Sequence, residues 1–579
     1  MKRASNLIAA VGLAVGLAIL AAGCQRRGGE EANPTKTLNA ALNAEIKGFD
    51  PALANDIYTS IALEQVYETL LDYDYLKRPF ELEPLLASKM PEISKDGLTY
   101  TVHLRDDVFF HDDPVFGGRP RRLLASDVIF SLKRVADPHL QSPNWWMLEG
   151  RVQGLDAFRK AIENTQGVGD YATFPISGMT APDDRTVVFR LTKPYRQFLY
   201  VLATSTTMVV APEVVRGYGI EFLNHPVGTG PFVLRDWVRG QRIRFERNDR
   251  YWDKPYPLLD GVVLWTYIET QPRWLNFLKG NLDFVEIPKE GFDQVFDSNF
   301  GLRAEMKSKQ ITVDRSEEPI LLYGFFNMSD PVIGKNRWLR KAISAAVDRE
   351  TKIRLFYNGR ALVANDPIPP SIFGHNTSEP DPNGFSVAKA REWAIKAKEE
   401  YSKAHGGKEL PPLSFDVINN TSYKQQADLL AQNLAAVGLR MNIQTYTFAQ
   451  IKQRMNKLET QFAILSWTAD YPDAENFLQL LYGQNCSPGA NHANFKNPKY
   501  DKLYEKMKDL PNRVERQRII NEMVKIIHEE VPWVLILYEV NTPAQHAWLK
   551  NYKRHPLREG AFKFLDIDLA EKDEVHSKL

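Results

Sequence analysis

Apolar and polar positions change period along residues 413–473, and the pattern predicts a β-α-β-α-β unit. The predicted elements are, in order, a strand at 413–418, a helix from a cap at Ser422 to Gly438, a strand at 439–446, a helix from Phe448, and a strand at 462–465. Strands in such units lie parallel, and ligands gather in the crevice beyond their carboxyl ends. The residues that follow the last strand are therefore predicted to contact a ligand.

Asp470 is the acidic residue that follows this last strand. Its position predicts that its carboxylate holds part of a ligand. The alternative interpretation is that Asp470 only caps a turn before Pro472 and that Trp467 belongs to the core. The spacing alone does not decide between the two.

Other stretches of the chain carry simpler patterns. Residues 61–71 have the spacing of an amphipathic helix with Ser60 as its cap. Arginines alternate with apolar residues between 239 and 250, which is typical of a strand with one solvated face. Trp145 and Trp146 lie in a polar, Pro-flanked loop and are candidate ligand contacts, with packing beneath a neighbouring loop as the alternative.

Length and composition limit the function classes. A chain of 579 residues exceeds a single core, so roughly two or three domains are expected. The 73 basic and 72 acidic residues nearly balance, which argues against a nucleic-acid partner. No residue spacing suits a metal, a cofactor or a catalytic nucleophile: His111 and its acidic neighbours stand alone, and Pro532 occupies the place where a zincin motif needs its second His.

The N-terminus predicts export. Two basic residues precede an apolar stretch at 7–22, so residues 1–23 are interpreted as a signal peptide. Residues 21–24 resemble the lipobox of bacterial lipoproteins, which would make Cys24 the lipidated residue and 24–36 a flexible tether. An ordinary signal peptide cut nearby is the alternative. The only other cysteine is Cys486, so a lipidated Cys24 leaves no disulfide.

Several motifs together resemble one family. Trp-x-Ala-Asp-Tyr at 467–471, followed by Asn-Phe-Leu at 476–478, resembles the signature of oligopeptide-binding proteins of peptide ABC transporters, which belong to bacterial extracellular solute-binding protein family 5. The motifs at 226–232 and 248–252 are also similar. The resemblance runs from about residue 37 to about residue 567.

The resemblance implies an α/β, two-lobed fold of the type II periplasmic-binding-protein class, with a small inserted domain and a double-crossover hinge. The crossings are expected near 317–323 and 538–541. The implied domains are lobe I at 37–75, 176–318 and 539–579, an inserted domain II at 76–175, and lobe III at 319–538.

The resemblance also implies ligand contacts. Asp470 takes the role of the acid that pairs with the α-amino group of a peptide, and Ser466, Trp467 and Thr468 lie along the peptide backbone. The remaining positions that match the family's binding site or the places near its hinges are Tyr323, Asn55, Ile57, Asn420, Glu286 and Tyr538. Glu286 makes the site more acidic than is usual in the family.

The function implied is capture of oligopeptides and their delivery to the permease subunits of an ABC transporter. The protein is expected to be a monomer, to face the periplasm or the cell exterior, and to meet the membrane only through its lipid. An arginine that clamps the ligand carboxylate in the dipeptide branch is absent near Asn420, so the chain is not expected to be a dedicated dipeptide receptor. A different basic group that substitutes for this arginine is the alternative. Two alternatives stay open: a non-peptide solute such as a sugar, an opine or a metal chelate, and a surface-anchored hydrolase that uses Asp470 and Asp473.

Overall fold

The computed structural model of the protein describes residues 35–54, 56–167, 171–288, 291–297, 300–376, 380–577 and 579. Two of the predicted residues, Cys24 and Asn55, lie outside these ranges, as do the expected signal peptide and all but the last two residues of the tether. Within the described ranges, none of the helices combines the length and the apolar character that a membrane span requires.

The strands of the described residues are, in chain order, β1 Thr37–Leu42, β2 Leu71–Tyr73, β3 Leu82–Pro84, β4 Glu92–Ile93, β5 Thr99–His103, β6 Met179–Asp183, β7 Thr186–Arg190, β8 Phe232–Val238, β9 Arg242–Arg247, β10 Gly261–Thr266, β11 Phe284–Glu286, β12 Ile311–Val313, β13 Ser316–Phe326, β14 Ala361–Val363, β15 Leu413–Ile418, β16 Met441–Tyr446, β17 Phe462–Thr468, β18 Trp533–Asn541, β19 Pro543–His546, β20 Leu549–Lys550 and β21 Asp566–Ile567.

The α-helices are, in chain order, α1 Ile57–Val66, α2 Ala125–Ala136, α3 Leu155–Ile162, α4 Phe198–Val201, α5 Pro212–Tyr218, α6 Thr270–Leu278, α7 Phe292–Val295, α8 Ala304–Ser308, α9 Arg337–Ala346, α10 Arg349–Tyr357, α11 Val387–Ala404, α12 Thr421–Ala436, α13 Phe448–Asn456, α14 Ala474–Leu478, α15 Pro498–Met507, α16 Val514–Glu530 and α17 Leu569–His576.

Lobe I is built on two sheets. One is four-stranded in the order β1-β10-β9-β8, with β1 parallel to β10 and the other pairs antiparallel. The other is three-stranded in the order β11-β19-β12. Ile243 and Phe245 of β9 are buried while Arg244 faces outward and pairs with Asp236, with 2.7 Å between the charged atoms, so the predicted one-sided strand is confirmed.

A smaller sheet in the order β4-β5-β7-β6 lies within residues 92–190. It therefore extends beyond residue 175, where the inserted domain was predicted to end. Its buried side chains, such as Tyr100 and Val187, belong to the same apolar core as Leu38 of lobe I. The domain limits thus stay a prediction, and the shared core ties this sheet closely to lobe I.

Lobe III contains a six-stranded sheet in the order β14-β18-β13-β17-β15-β16, with an apolar core on each face. Strands β16 and β17 both lie parallel to β15, which confirms the predicted β-α-β-α-β unit. The cap of α12 was predicted wrongly. Asn420 rather than Ser422 is the cap, because its side-chain oxygen accepts hydrogen bonds from the backbone amides of Ser422 and Tyr423.

The first predicted helix also begins elsewhere. It is α1, Ile57–Val66, and its cap is Asp56, whose carboxylate accepts hydrogen bonds from the backbone amide of Thr59 at 2.9 Å and from its hydroxyl at 2.7 Å. Ser60 is therefore inside the helix. A carboxylate one turn earlier satisfies the free N–H groups of the helix start and complements its dipole.

The two lobes are joined by β13 and β18, which run antiparallel where they cross. Strand β13 follows β12 of lobe I, and β18 leads into β19 of the same lobe I sheet. Their ladder pairs Ser316 with Asn541, slips between Glu317 and Leu321, and resumes with Leu321 opposite Tyr538. This is the type II two-lobed fold with a double crossing at the predicted segments, and the slip places the irregular backbone between the lobes.

Candidate ligand-binding cleft

The chain turns sharply after β17. Strand β17 pairs with β13 as far as Thr468. Pro472 then prevents regular structure, and Asp473 caps α14. Ala469 and Asp470 sit in this turn and form one wall of a cavity of about 450 Å³. The other walls come from lobe I and the predicted inserted domain, and they include Ile57, Asn144 and Arg558. The fold thus brings Asp470 and Ile57, two predicted ligand contacts, to one cavity between the lobes.

Asn476 holds the Asp470 turn in place. It is fully buried, and its side-chain oxygen accepts hydrogen bonds from Trp467 Nε1 at 2.8 Å and from the backbone amide of Asp470 at 3.2 Å. Its Nδ2 donates to an Asp470 carboxylate oxygen at 3.0 Å. Sequence reasoning treated Asn476 only as part of a motif. The structure assigns it to positioning both Trp467 and Asp470.

Within the described part of the chain, the Asp470 carboxylate has no cationic partner. In the described chain no Lys, Arg or His nitrogen comes within 4 Å of it. The side chain is exposed to solvent in the cleft, but neighbouring protein atoms displace part of its hydration shell. This desolvation raises the pKa of the carboxylate, and the hydrogen bond from Asn476 lowers it by a smaller amount. Binding of a cation would therefore stabilise the ionised form of this carboxylate.

Three other predicted residues line a second cavity, of about 350 Å³: Tyr323, Ser466 and Trp467. The Tyr323 ring lies 4.3 Å from that of Trp533, and burial raises the pKa of its hydroxyl. Thr468 is exposed at the end of β17 opposite Ile320. The predicted contacts therefore divide between two cavities: Trp467 lines the smaller one, and Asp470, three positions later in the chain, lines the larger one.

The remaining predicted contacts lie elsewhere. Tyr538 is buried in the core, where its hydroxyl donates to the backbone oxygen of Asp366 at 2.6 Å, so it has no surface to offer a ligand. Trp145 packs against the lobe I core, with the Arg159 guanidinium 5.0 Å from its ring centre, and the neighbouring Trp146 is exposed outside these cavities.

Glu286 and Asn420 are both occupied by local contacts. Glu286 accepts a hydrogen bond from Asn541 at 2.6 Å and borders a third cavity of about 280 Å³, which it shares with Ile57. Asn420 is exposed and caps α12.

Charged residues that sequence reasoning missed surround the larger cavity. Glu64 accepts hydrogen bonds from Arg558 at 3.3 Å and from the backbone amide of Gly560 at 3.0 Å. Burial raises the pKa of Glu559 to about 7, although Arg554 Nη2 lies 2.6 Å from its carboxylate. No local signal marks these residues, because Glu64 and Arg558 are 494 positions apart in the chain.

Asp473 is occupied by a structural contact. It is 4% exposed, its carboxylate caps α14, and it binds Arg516 through both oxygens at 2.8 and 2.5 Å. A carboxylate neutralised in this way is a poor acid/base partner for Asp470. Among the described residues no cluster of three potential metal ligands occurs, and the expectation of no bound metal stays a prediction.

Comparison with known proteins agrees with this architecture. Two relatives are a heme-binding protein A from Haemophilus influenzae, 28% identical over 90% of each chain, and a dipeptide-binding protein from Escherichia coli, 26% identical over 92% of this chain and 95% of the relative. The solved structure of DppA from Helicobacter pylori in complex with the peptide STSA covers 92% of this chain and 98% of its own, with 26% identity and a TM-score of 0.65.

Residues 81–489, more than half of the chain, match the profile of the middle region of the bacterial extracellular solute-binding proteins, family 5. These proteins bind solutes for transport. The chain accordingly belongs to the bacterial extracellular solute-binding proteins of family 5.

Proposed function

We propose that this protein captures oligopeptides between its two lobes and delivers them to the permease subunits of an ABC transporter. The names of its relatives support a peptide ligand, since they include a dipeptide-binding protein and a transporter-associated protein in complex with STSA. The geometry of the cleft supports the same class, because a peptide has a free ammonium at one end and a backbone that pairs with strand edges.

The observation that carries the proposal is the Asp470 carboxylate without a cation, held by Asn476 at the edge of the cleft. A peptide ammonium supplies the missing charge. When the lobes close and exclude water, loss of one partner of such a pair costs about 3–5 kcal/mol, which is about a hundredfold or more in affinity.

Calorimetry with a free-amine tripeptide and its N-acetylated form tests this role. Asp470→Ala is expected to weaken the free-amine peptide by about a hundredfold or more. Acetylation is expected to weaken binding to the wild type by a similar factor and to add little in the variant, because both changes remove one interaction.

Asp428→Ala, at an exposed position of α12 in the same lobe, is the control and should bind like the wild type. Independent, additive losses from acetylation and from Asp470→Ala would refute the pairing. They would mean that Asp470 only shapes its turn.

A non-peptide solute is the second candidate, and the 28% identity to a heme-binding protein A favours it. Mass spectrometry of the purified protein distinguishes the two, because a retained peptide and a retained small solute differ in fragmentation. A cleaved peptide product would instead indicate a hydrolase.

We also propose export as a lipoprotein anchored through Cys24, with the folded part acting as a monomer in the periplasm or at the cell exterior. The lipobox-like residues 21–24 motivate this. Cys24→Ser should move the protein from the membrane fraction to the soluble exported fraction. Retention of the variant in the membrane would contradict lipidation at this residue.

A further inference from the structure

The ladder between β15 and β17 is short. It holds at the pairs Phe415–Phe462 and Asp416–Ala463, and beyond them the two strands separate. Strand order also reverses here, since the next strand in the chain, β16, lies on one side of β15 and β17 lies on the other. The gap is therefore a topological switch point at the carboxyl ends of parallel strands, where ligands of α/β sheets bind.

This gap is the cavity of about 350 Å³ that Trp467 borders, and we call it the β15–β17 crevice. Its walls are mostly apolar and include Val417, Ile418, Ile451, Met455, Ile464 and Leu465. Tyr423 and Phe448, from the first turns of α12 and α13, also line it and are 47% and 54% exposed. Large aromatic side chains left in water beside an apolar cavity are typical of a binding surface.

Lys352 of α10 also lines this crevice, and among the residues that the structure describes its ammonium has no carboxylate partner. The residue is 5% exposed, and its Nζ donates to Gln426 Oε1 at 2.5 Å. In the described chain no Asp or Glu oxygen comes within 4 Å of this nitrogen. Burial lowers its pKa to about 8, so at neutral pH a charged group sits in an apolar cavity without a counter-ion.

The other ionisable groups of the crevice do not supply that counter-ion. Asp416 is bound by Arg454, with Nε 2.9 Å from its carboxylate. Lys452 adds a second positive charge, and burial lowers the pKa of His492, which keeps it neutral. Burial raises the pKa of the Tyr323 hydroxyl, so it stays protonated at neutral pH. The crevice is thus apolar with an excess of positive charge.

We propose that the β15–β17 crevice is a second subsite of the cleft, that it takes an apolar ligand group bearing a carboxylate, and that Lys352 is the residue that selects this carboxylate. This deepens the proposed function and rests on it where the ligand is a peptide. The carboxylate has two possible sources, the C-terminus of a peptide whose last residue is apolar, or an acidic side chain.

The first test uses a probe that does not depend on peptide binding. Calorimetry of 3-phenylpropionate and of its amide against wild type and Lys352→Met compares the acid and the amide at one site. The wild type should prefer the acid by about tenfold or more, and the variant should lose this preference. The preference of the wild type should also decline as the pH rises through about 8, because the Lys352 ammonium loses its proton.

Lys424→Met, at an exposed position of α12, is the matched control and should keep the preference. Thermal unfolding of Lys352→Met verifies that the variant is folded. Equal binding of acid and amide by the wild type, or an undiminished preference in folded Lys352→Met, overturns the proposal.

Two peptide pairs identify the source of the carboxylate: Ala-Ala-Phe with its C-terminal amide, and Ala-Glu-Ala with Ala-Gln-Ala. The pair whose discrimination Lys352→Met abolishes contains the group that reaches Lys352. If 3-phenylpropionate binds in a Lys352-dependent manner while no free-amine peptide binds, the subsite stands and the peptide function is wrong.

Discussion

At the scale of single residues, Asp470 and Lys352 are the charged side chains that bear most directly on ligand recognition. Each lacks an opposite charge in the described chain, and desolvation shifts the pKa of each toward the neutral form. Uncompensated charges in or beside cavities destabilise the folded protein. Both are therefore candidates for ligand recognition, one for an ammonium and one for a carboxylate.

Asn476→Ala is expected to impair both stability and binding. The change leaves the Trp467 indole and the Asp470 amide without their acceptor and should cost about 1–3 kcal/mol. It also frees the Asp470 carboxylate to move, so peptide affinity should decline by about tenfold. Thermal unfolding and calorimetry measure the two effects.

Asn491→Ala is the matched control for this variant. Asn491 is also fully buried in lobe III, but it bonds Tyr482 and Phe495 rather than the Asp470 turn. It should lose stability and keep affinity. Equal loss of affinity in both variants would show that Asn476 has no specific role in the site.

Lys352→Met is expected to stabilise the protein near neutral pH. The pKa of Lys352 is lowered from 10.5 to about 8, so the folded state disfavours the charged form. The resulting cost is fully present below about pH 8, amounts to about 3 kcal/mol, and disappears as the pH rises toward the unfolded value. The variant should unfold at a higher temperature than wild type at about pH 7 and at a similar temperature at about pH 10.5. A constant difference across this range would mean that Lys352 is solvated.

At the scale of elements, the turn that carries Asp470 is fixed by two helices. Asp473 caps α14 through the backbone amide of Glu475 at 2.8 Å and binds Arg516 of α16. Both partners are almost fully buried. This pair joins the element after β17 to the long helix α16, so it supports the site without contacting a ligand.

Arg516→Met should destabilise the protein strongly, because it leaves the Asp473 carboxylate buried and unpaired, at a cost of about 3–5 kcal/mol. The double variant Asp473→Leu/Arg516→Met should recover part of that loss, since neither charge remains. Arg235→Met, which breaks an exposed pair with Glu246, should cost less than about 1 kcal/mol. Similar losses for the two single variants, measured as shifts in thermal unfolding, would contradict a special role of the buried pair.

At the scale of the whole molecule, the two lobes touch at the cleft rim as well as at the crossing strands. The Tyr200 ring of the N-terminal half stacks on Tyr471, next to Asp470, with 5.6 Å between ring centres. The Gln197 side chain donates to the backbone oxygen of Lys508 at 3.0 Å. A hinged closure of the lobes would rearrange these contacts and the irregular crossing between Glu317 and Leu321.

Saturating peptide is expected to compact the protein by closing the lobes about β13 and β18. Small-angle scattering should then give a smaller radius of gyration with a free-amine peptide than without it. Asp470→Ala at the same peptide concentration should stay as extended as the free protein, because it binds too weakly to close. An unchanged radius for peptide-saturated wild type would contradict closure on binding.

The sequence alone determined the elements whose apolar period is local. It predicted the β-α-β-α-β unit at 413–465 and the position of Asp470 after its last strand, because the side-chain periods of strands and helices depend on near neighbours. It failed at helix starts, where Asp56 and Ser60, or Asn420 and Ser422, are all good caps and only the rest of the fold selects one.

Only the tertiary structure decided how the charges are distributed. It joined Glu64 to Arg558 across 494 residues, paired Asp473 with Arg516, and buried Tyr538 away from the cleft. It also separated β15 from β17 and placed Lys352 beside the gap. Burial and charge pairing depend on atoms brought together by the whole fold, so no local pattern specifies them.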